Sequence, residues 1–273
     1  MKLDRKSFGL LLATALFALG ACAQSPVFEP VVGQAGKDVV WVPTPDTLVN
    51  KMLDMAKVTP ADYLIDLGSG DGRTVITAAR RGVRARGIEY NPNMVKLSQE
   101  NAAKAGVSDK ATFVHGDIFQ SDFSQATVIT LFLLPSLNLK LRPLLLNMKP
   151  GTRVVSNSFT MSEWESDETA TATTDSNCTS WCVAYMWIIP AKVDGAWQFS
   201  GGGRLTLKQD FQKVQGAIAG TGNAGPVSGG LRGDQITFKA GNAEYSGRVS
   251  GNTIEGTMKS GSQSSKWTAT RGG

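Results

Sequence analysis

The chain is short of the residues that usually carry metal and redox chemistry. It has one histidine, His115, and three cysteines in 273 residues. Cys178 and Cys182 lie four apart in "NCTSWC" with no histidine beside them, so they make at most half a zinc site. No metal ligands are expected. An excess of one charge is also missing. The net charge is +5 and no dense basic stripe runs through the sequence, which argues against nucleic acid as a partner. Long apolar runs are absent except at residues 8–21, too few to span a bilayer comfortably, which takes about 20. No lysine of a phosphate-binding loop follows the glycines at 68–72, so a nucleoside triphosphate is not expected there.

The one apolar run has its own reading. "MKLDRKSFGLLLATALFALGAC" starts basic, with Lys2, Arg5 and Lys6, and then turns apolar, as an export signal does. Leu19-Gly20-Ala21-Cys22 resembles the bacterial lipobox, which implies cleavage before Cys22 and lipidation of that cysteine. Cleavage after Ala23 is the alternative, because Ala21-Cys22-Ala23 also fits the small-x-small rule. The basic start would stay inside and place the rest of the chain outside. Loss of residues 1–21 removes three basic residues and one acidic one and leaves a charge of +3. The expected location is the bacterial cell envelope, periplasm-facing, tethered to the membrane through lipidated Cys22. Residues 23–40 show neither helical nor strand period and read as a linker.

From Trp41 to about Ala191 the signals alternate. "DTLVNKMLDMAKV" sets Leu48, Met52, Leu53 and Met55 on one helical face, with Asp46 as its N-cap. "YLIDL" is a strand, "RTVITAARRG" a helix closed at Gly82, and "RARGIEY" a second strand. Asn91-Pro92 opens the next helix. "ATFVHGDI", "ATVITLFLL" and "TRVVSNSF" are three more strands, with a helix broken by Pro143 between the last two. This alternation predicts a parallel sheet with helices on both faces.

In such a sheet ligands sit at the carboxyl ends of the strands. "YLIDLGSGDGRTV" puts Asp66 at the end of the first strand and then bends at Gly68, Gly70 and Gly72. Without Cβ atoms the backbone turns tightly and approaches a ligand, and the next helix start offers free N–H groups. Glu89 ends the second strand, where an acid accepts hydrogen bonds from ribose hydroxyls. Asp117 ends the third, where a carboxylate can accept from an adenine amino group. An acid at Asp66 suits a ligand with an amino group better than one with pyrophosphate.

Together "DLGSGDG", "GIEYNP" and "HGDIF" resemble the class I S-adenosylmethionine (SAM)-dependent methyltransferases, over about residues 41–190. The resemblance implies a Rossmann-like, seven-stranded α/β sheet and SAM as cofactor. It implies that Asp66 and the turn of Gly68, Ser69, Gly70 and Gly72 hold the methionine part. Glu89 would hold the ribose, and Asp117 with Ile118 the adenine. "WVPTPDTLVNKML" and "FLLPSLNLKLRPLL" are further similar to lysine methyltransferases related to the ATP-synthase c-subunit enzyme, with Thr44 a SAM contact. The implied acceptor is a protein lysine or a small amine. The Asn/Asp-Pro-Pro-Tyr motif of base and amide methyltransferases is replaced by "FLLP" at 132–135, and no catalytic base is evident. A neutral amine needs none, because alignment and desolvation are the work. Leu133, Leu134, Phe159 and Trp164 are candidate walls of the acceptor channel. SAM is made in the cytoplasm, so an exported, non-catalytic binding protein on the same fold is the alternative.

The implied organisation is a signal at 1–22, a linker at 23–40, a methyltransferase domain at 41–192 and a glycine-rich β domain at 193–273. His115 reads as a half-buried strand residue. A disulfide between Cys178 and Cys182 requires the chain to turn, since four strand residues span ~13 Å. "SEWESDETATATTDSN" reads as a polar loop. In residues 195–273, where 18 of the 30 glycines fall, apolar residues recur with period two. That predicts an antiparallel meander of about five or six strands.

Overall fold

The computed structural model describes residues 28–172 and 178–272. The export signal and the first part of the linker lie outside them.

Helix α1 (Asp46–Met55) buries Leu48, Val49, Met52 and Leu53. Pro45, not Asp46, holds its N-cap position, and Asp46 is the first helical residue, where its charge faces the positive end of the dipole. Strand β1 (Tyr63–Leu67) is buried from Leu64 onward and leads through the glycine turn into α2 (Arg73–Arg80). Then come β2 (Arg84–Glu89), α3 (Pro92–Lys104), β3 (Ala111–His115), β4 (Val128–Leu131), α4 (Pro135–Leu145) and β5 (Arg153–Asn157). Asn91 caps α3 by accepting from the Asn93 amide at 2.9 Å. Pro143 lies within α4 without breaking it, because it falls in the last turn and α4 ends two residues later. Strands β6 (Glu168–Thr171) and β7 (Val183–Ile188) complete a seven-stranded sheet of order β3-β2-β1-β4-β5-β7-β6. Only β7 runs antiparallel to the parallel set, pairing with both β5 and β6. The order reverses between β1 and β4, and the crevice at their carboxyl ends is the natural ligand position.

Three further expectations are not met. The stretch expected to be a polar loop contains the edge strand β6, whose alternating exposure is too polar to register as a strand period. His115 is exposed at the end of β3, with its ring 5.9 Å from that of Tyr90. Residues 33–41 are not a free tether. Gly33 N donates to Trp41 O, Trp41 N to Gln34 O and Gly36 N to Val39 O, which makes a small hairpin.

The glycine-rich end forms more strands than expected, and they close. Strands β8 (Gly195–Phe199), β9 (Arg204–Asp210), β10 (Lys213–Ala219), β11 (Gly225–Arg232), β12 (Gln235–Ala240), β13 (Ala243–Ser250), β14 (Thr253–Ser260) and β15 (Gln263–Arg271) pair in sequence. The pairing of β15 with β8 closes an eight-stranded antiparallel barrel, which leaves no free edge. Phe199, Phe238, Tyr245 and Trp267 fill its interior. The glycines serve this closure. A Cβ at Gly256 would strike the Ser246 carbonyl on the neighbouring strand.

Candidate active site

The crevice at the β1/β4 reversal holds a cavity of about 550 Å³. Thr44, Asp66, Gly68, Ser69, Gly70, Glu89, Asp117 and Ile118 all line it. Gly72 does not. It caps α2 at φ 84°, and a Cβ there would strike Phe113 and Ser98 behind the loop.

The floor is acidic. The Asp66 carboxylate is buried and accepts one hydrogen bond, from Thr130 Oγ1 at 2.7 Å. No cation pairs with it among the described residues. Burial pushes its carboxyl up to about 7, and the charges of Glu89 and Asp71 add to the rise. Glu89 accepts from the Gly70 amide and the Asn91 amide, both at 2.9 Å, so one side chain pins the glycine turn to the start of α3. Ser69 offers its backbone only. Its hydroxyl turns back toward Gly87 and has no hydrogen-bond partner. At Gly70 the approach is so close that a Cβ would lie 2.7 Å from Trp41 Nε1. This cradle suits a ligand that is flat at one end and cationic at the other.

The roof comes from the hairpin, which the sequence pattern did not reveal. Gln34 through Val42 line the cavity. Lys37 Nζ reaches Asp117 Oδ2 at 2.6 Å and lies 4.9 Å from the Tyr90 ring centre. The Lys37 ammonium, with the Phe119 amide, holds the Asp117 carboxyl below its ordinary range. Deeper in, Asn157 at the end of β5 donates to Thr44 Oγ1 at 3.2 Å and so ties the sheet to the segment before α1.

The far wall is apolar: Phe132, Leu133, Leu134, Leu137, Phe159 and Trp181. Trp164 is not part of it. Its side chain is fully buried, stacked on Phe211 from the barrel at 5.8 Å and packed against Trp187. Trp181 takes the place expected of it. The chain does turn at "CTSWC", with the two Cα atoms 5.8 Å apart across a disulfide, and Trp181 projects from that loop.

A largely parallel sheet with acids at three successive strand ends and a glycine-rich loop at the cavity is the arrangement of a class I SAM-dependent methyltransferase. Residues 66–168 match the ANTKMT methyltransferase domain. A protein-lysine N-methyltransferase of Saccharolobus islandicus is 44% identical over 133 residues, which is 48% of this chain and 83% of that protein. The human lysine N-methyltransferase of the ATP synthase c-subunit is 32% identical over 168 residues, 60% of this chain and 71% of that one. A crystal structure described as an RNA methyltransferase from Salinibacter ruber, with bound S-adenosylhomocysteine, is 48% identical. It covers 56% of this chain and 96% of that one, with a TM-score of 0.52. The chain belongs to the ANTKMT-type methyltransferase family, and its cofactor is SAM.

Proposed function

We propose that the protein methylates the side-chain amine of lysine in a protein acceptor. The observation that carries this is the far wall of the cavity, where six apolar side chains stand with no carboxylate or imidazole among them. Such a wall strips water from an amine and favours its neutral, nucleophilic form. Bound SAM supplies an electrophilic methyl group. The chain's own part is alignment and exclusion of water, worth up to ~7–11 kcal/mol when the geometry is productive. Asp66 would hold the amino end of the cofactor, with Gly68, Ser69 and Gly70 giving backbone. Glu89 would take the ribose, and Asp117 with Ile118 the adenine. Thr44, held by Asn157, closes the methionine end.

The names of the Saccharolobus and human relatives support lysine, and that of the Salinibacter structure points to RNA. The lack of a basic stripe favours protein. The deciding assay offers SAM with a labelled methyl group alongside denatured envelope protein and total RNA. Label on lysine, located by mass spectrometry, is expected; label in RNA alone overturns the reading. Gly70→Arg should abolish binding of S-adenosylhomocysteine in calorimetry, because its side chain must occupy the cradle.

The same proposal places the protein in the cell envelope, anchored through Cys22. The lipobox-like end of the export signal supports it, and so does the Cys178–Cys182 disulfide, since such bonds persist in oxidising compartments. Expression with labelled palmitate should label the wild-type chain and leave Cys22→Ser unlabelled. Label on both would remove Cys22 as the anchor point, and label on neither would remove the lipid anchor.

A further inference from the structure

Three aromatic rings in the cavity have no task in holding the cofactor. Phe132 follows β4, Phe159 follows β5, and Trp181 stands in the disulfide loop. Their ring centres are 5.3 to 6.1 Å apart. Phe132 and Phe159 lie nearly parallel, at 23°, and Trp181 is tilted to both, by 58° and 47°. None of the three belongs to a hydrophobic core cluster, and Trp181 is 45% exposed. Apolar rings that merely fill space are buried; these line a cavity and meet solvent.

The backbone holds them at a cost. Ser158, just before Phe159, has φ 61°, and Trp181 has φ 59°. These are two of five non-glycine residues with positive φ among the described residues. Such strain gathers where a site needs a side chain aimed. Both strained points are tied down. The Ser158 amide donates to Val183 O at 2.7 Å, and Cys178 and Cys182 clamp the chain on either side of Trp181.

We infer that Phe132, Phe159 and Trp181 form a recognition site for the methylated ammonium of the acceptor, held in shape by the disulfide, and that it drives successive methylation of one lysine. This rests on the lysine reading above. A cation within about 6 Å of an aromatic face is attracted by the ring quadrupole. A primary ammonium brings three N–H groups that would go unpaired against such a wall. Each added methyl removes one of these, so the wall suits the di- and trimethylated amine best. The intermediate product is then retained rather than released: it gives up one N–H proton to water, S-adenosylhomocysteine exchanges for SAM, and the freed lone pair takes the next methyl from sulfur.

The test separates cation recognition from catalysis. Tetramethylammonium and neopentyl alcohol, a neutral molecule of similar shape, are titrated by calorimetry into the protein saturated with S-adenosylhomocysteine. The cation is expected to bind, and the neutral probe more weakly. Trp181→Ala and Phe159→Ala should each weaken the cation by roughly tenfold, with Trp181→Phe retaining most of the affinity. The double variant Cys178→Ser, Cys182→Ser should behave like Trp181→Ala. Equal binding of both probes, or no cation binding, overturns the inference. In turnover, Trp181→Ala should lower the trimethyl product more than the monomethyl one; an unchanged product distribution also overturns it. Cation binding without any lysine methylation upholds the aromatic site and removes the lysine reading instead.

Discussion

Asp66 shows how a residue can oppose folding and serve binding. Its carboxyl titrates at about 7 in the folded chain against an ordinary 3.8. The folded state therefore holds the proton more tightly than the unfolded one. Stability contributed by this group is full at low pH and is lost as pH rises from about 4 to about 7. The full difference amounts to about 4 kcal/mol at most. Asp66→Asn keeps an oxygen for the Thr130 hydroxyl and removes the buried charge. Thermal unfolding of the ligand-free variant should show a higher Tm than wild type at pH 8 and little difference at pH 4. Its affinity for SAM should fall at pH 8, because the ligand's ammonium loses its counter-charge. Melting profiles that run parallel from pH 4 to 8 would mean that Asp66 is not carrying its charge in the free protein.

At the scale of elements the hairpin over the cavity divides its labour between two side chains. Lys37 makes an exposed ion pair with Asp117, a kind worth about 1 kcal/mol or less. Trp41 instead lies against Gly70 in the cradle itself. Trp41→Ala should raise the SAM dissociation constant by about tenfold, on the basis of lost packing. Lys37→Ala should raise it by less than about fivefold, and high salt should erase that difference. Calorimetry at two ionic strengths distinguishes the pair. The hairpin also marks the limit of what the sequence shows. The alternation of strands and helices, the glycine turn and the acids at 66, 89 and 117 are local patterns, and they were legible. Residues 33–41 have no period of their own, and what they touch is distant in sequence: Asp117 lies 80 residues from Lys37. Trp164 and Trp181 posed the same difficulty. Both sit in polar surroundings in the sequence, and Trp164 becomes core through residues far from it in the chain, Trp187 on β7 and Phe211 from the barrel. Gly72 looked like Gly68 and Gly70 because spacing cannot tell a ligand-facing glycine from one that makes room for Phe113 and Ser98. Closure of the barrel was hidden for the same reason, since β15 meets β8 about 70 residues from it in sequence.

At the scale of the whole molecule, sheet and barrel are joined by an interface of polar and apolar contacts. Ala191 N donates to Gly233 O at 2.8 Å, and Gln212 Nε2 to Glu165 O at 2.9 Å. Arg232 pairs with Glu168, and Lys213 with Glu165, across the same face. The apolar part centres on Phe211, stacked on Trp164 and covered by the Arg142 guanidinium 5.4 Å from its ring. Phe211 occupies the turn between β9 and β10 at φ 51°, a region costly for any residue with a Cβ. Two substitutions therefore make an unusual comparison. Phe211→Ala loses the ring and keeps the backbone strain. Phe211→Gly loses the same ring and sheds the strain, which is worth roughly 1–2 kcal/mol. Glycine's usual entropic handicap against alanine is about 0.5–1 kcal/mol and acts the other way. The strain is the larger of the two, so Phe211→Gly should be the more stable variant, with both below wild type by about 2–4 kcal/mol for the lost aromatic contact. Urea unfolding followed by tryptophan fluorescence measures this, because Trp164 lies directly beneath the ring. If alanine proves the more stable, the turn is not strained and the interface rests on the polar contacts around it.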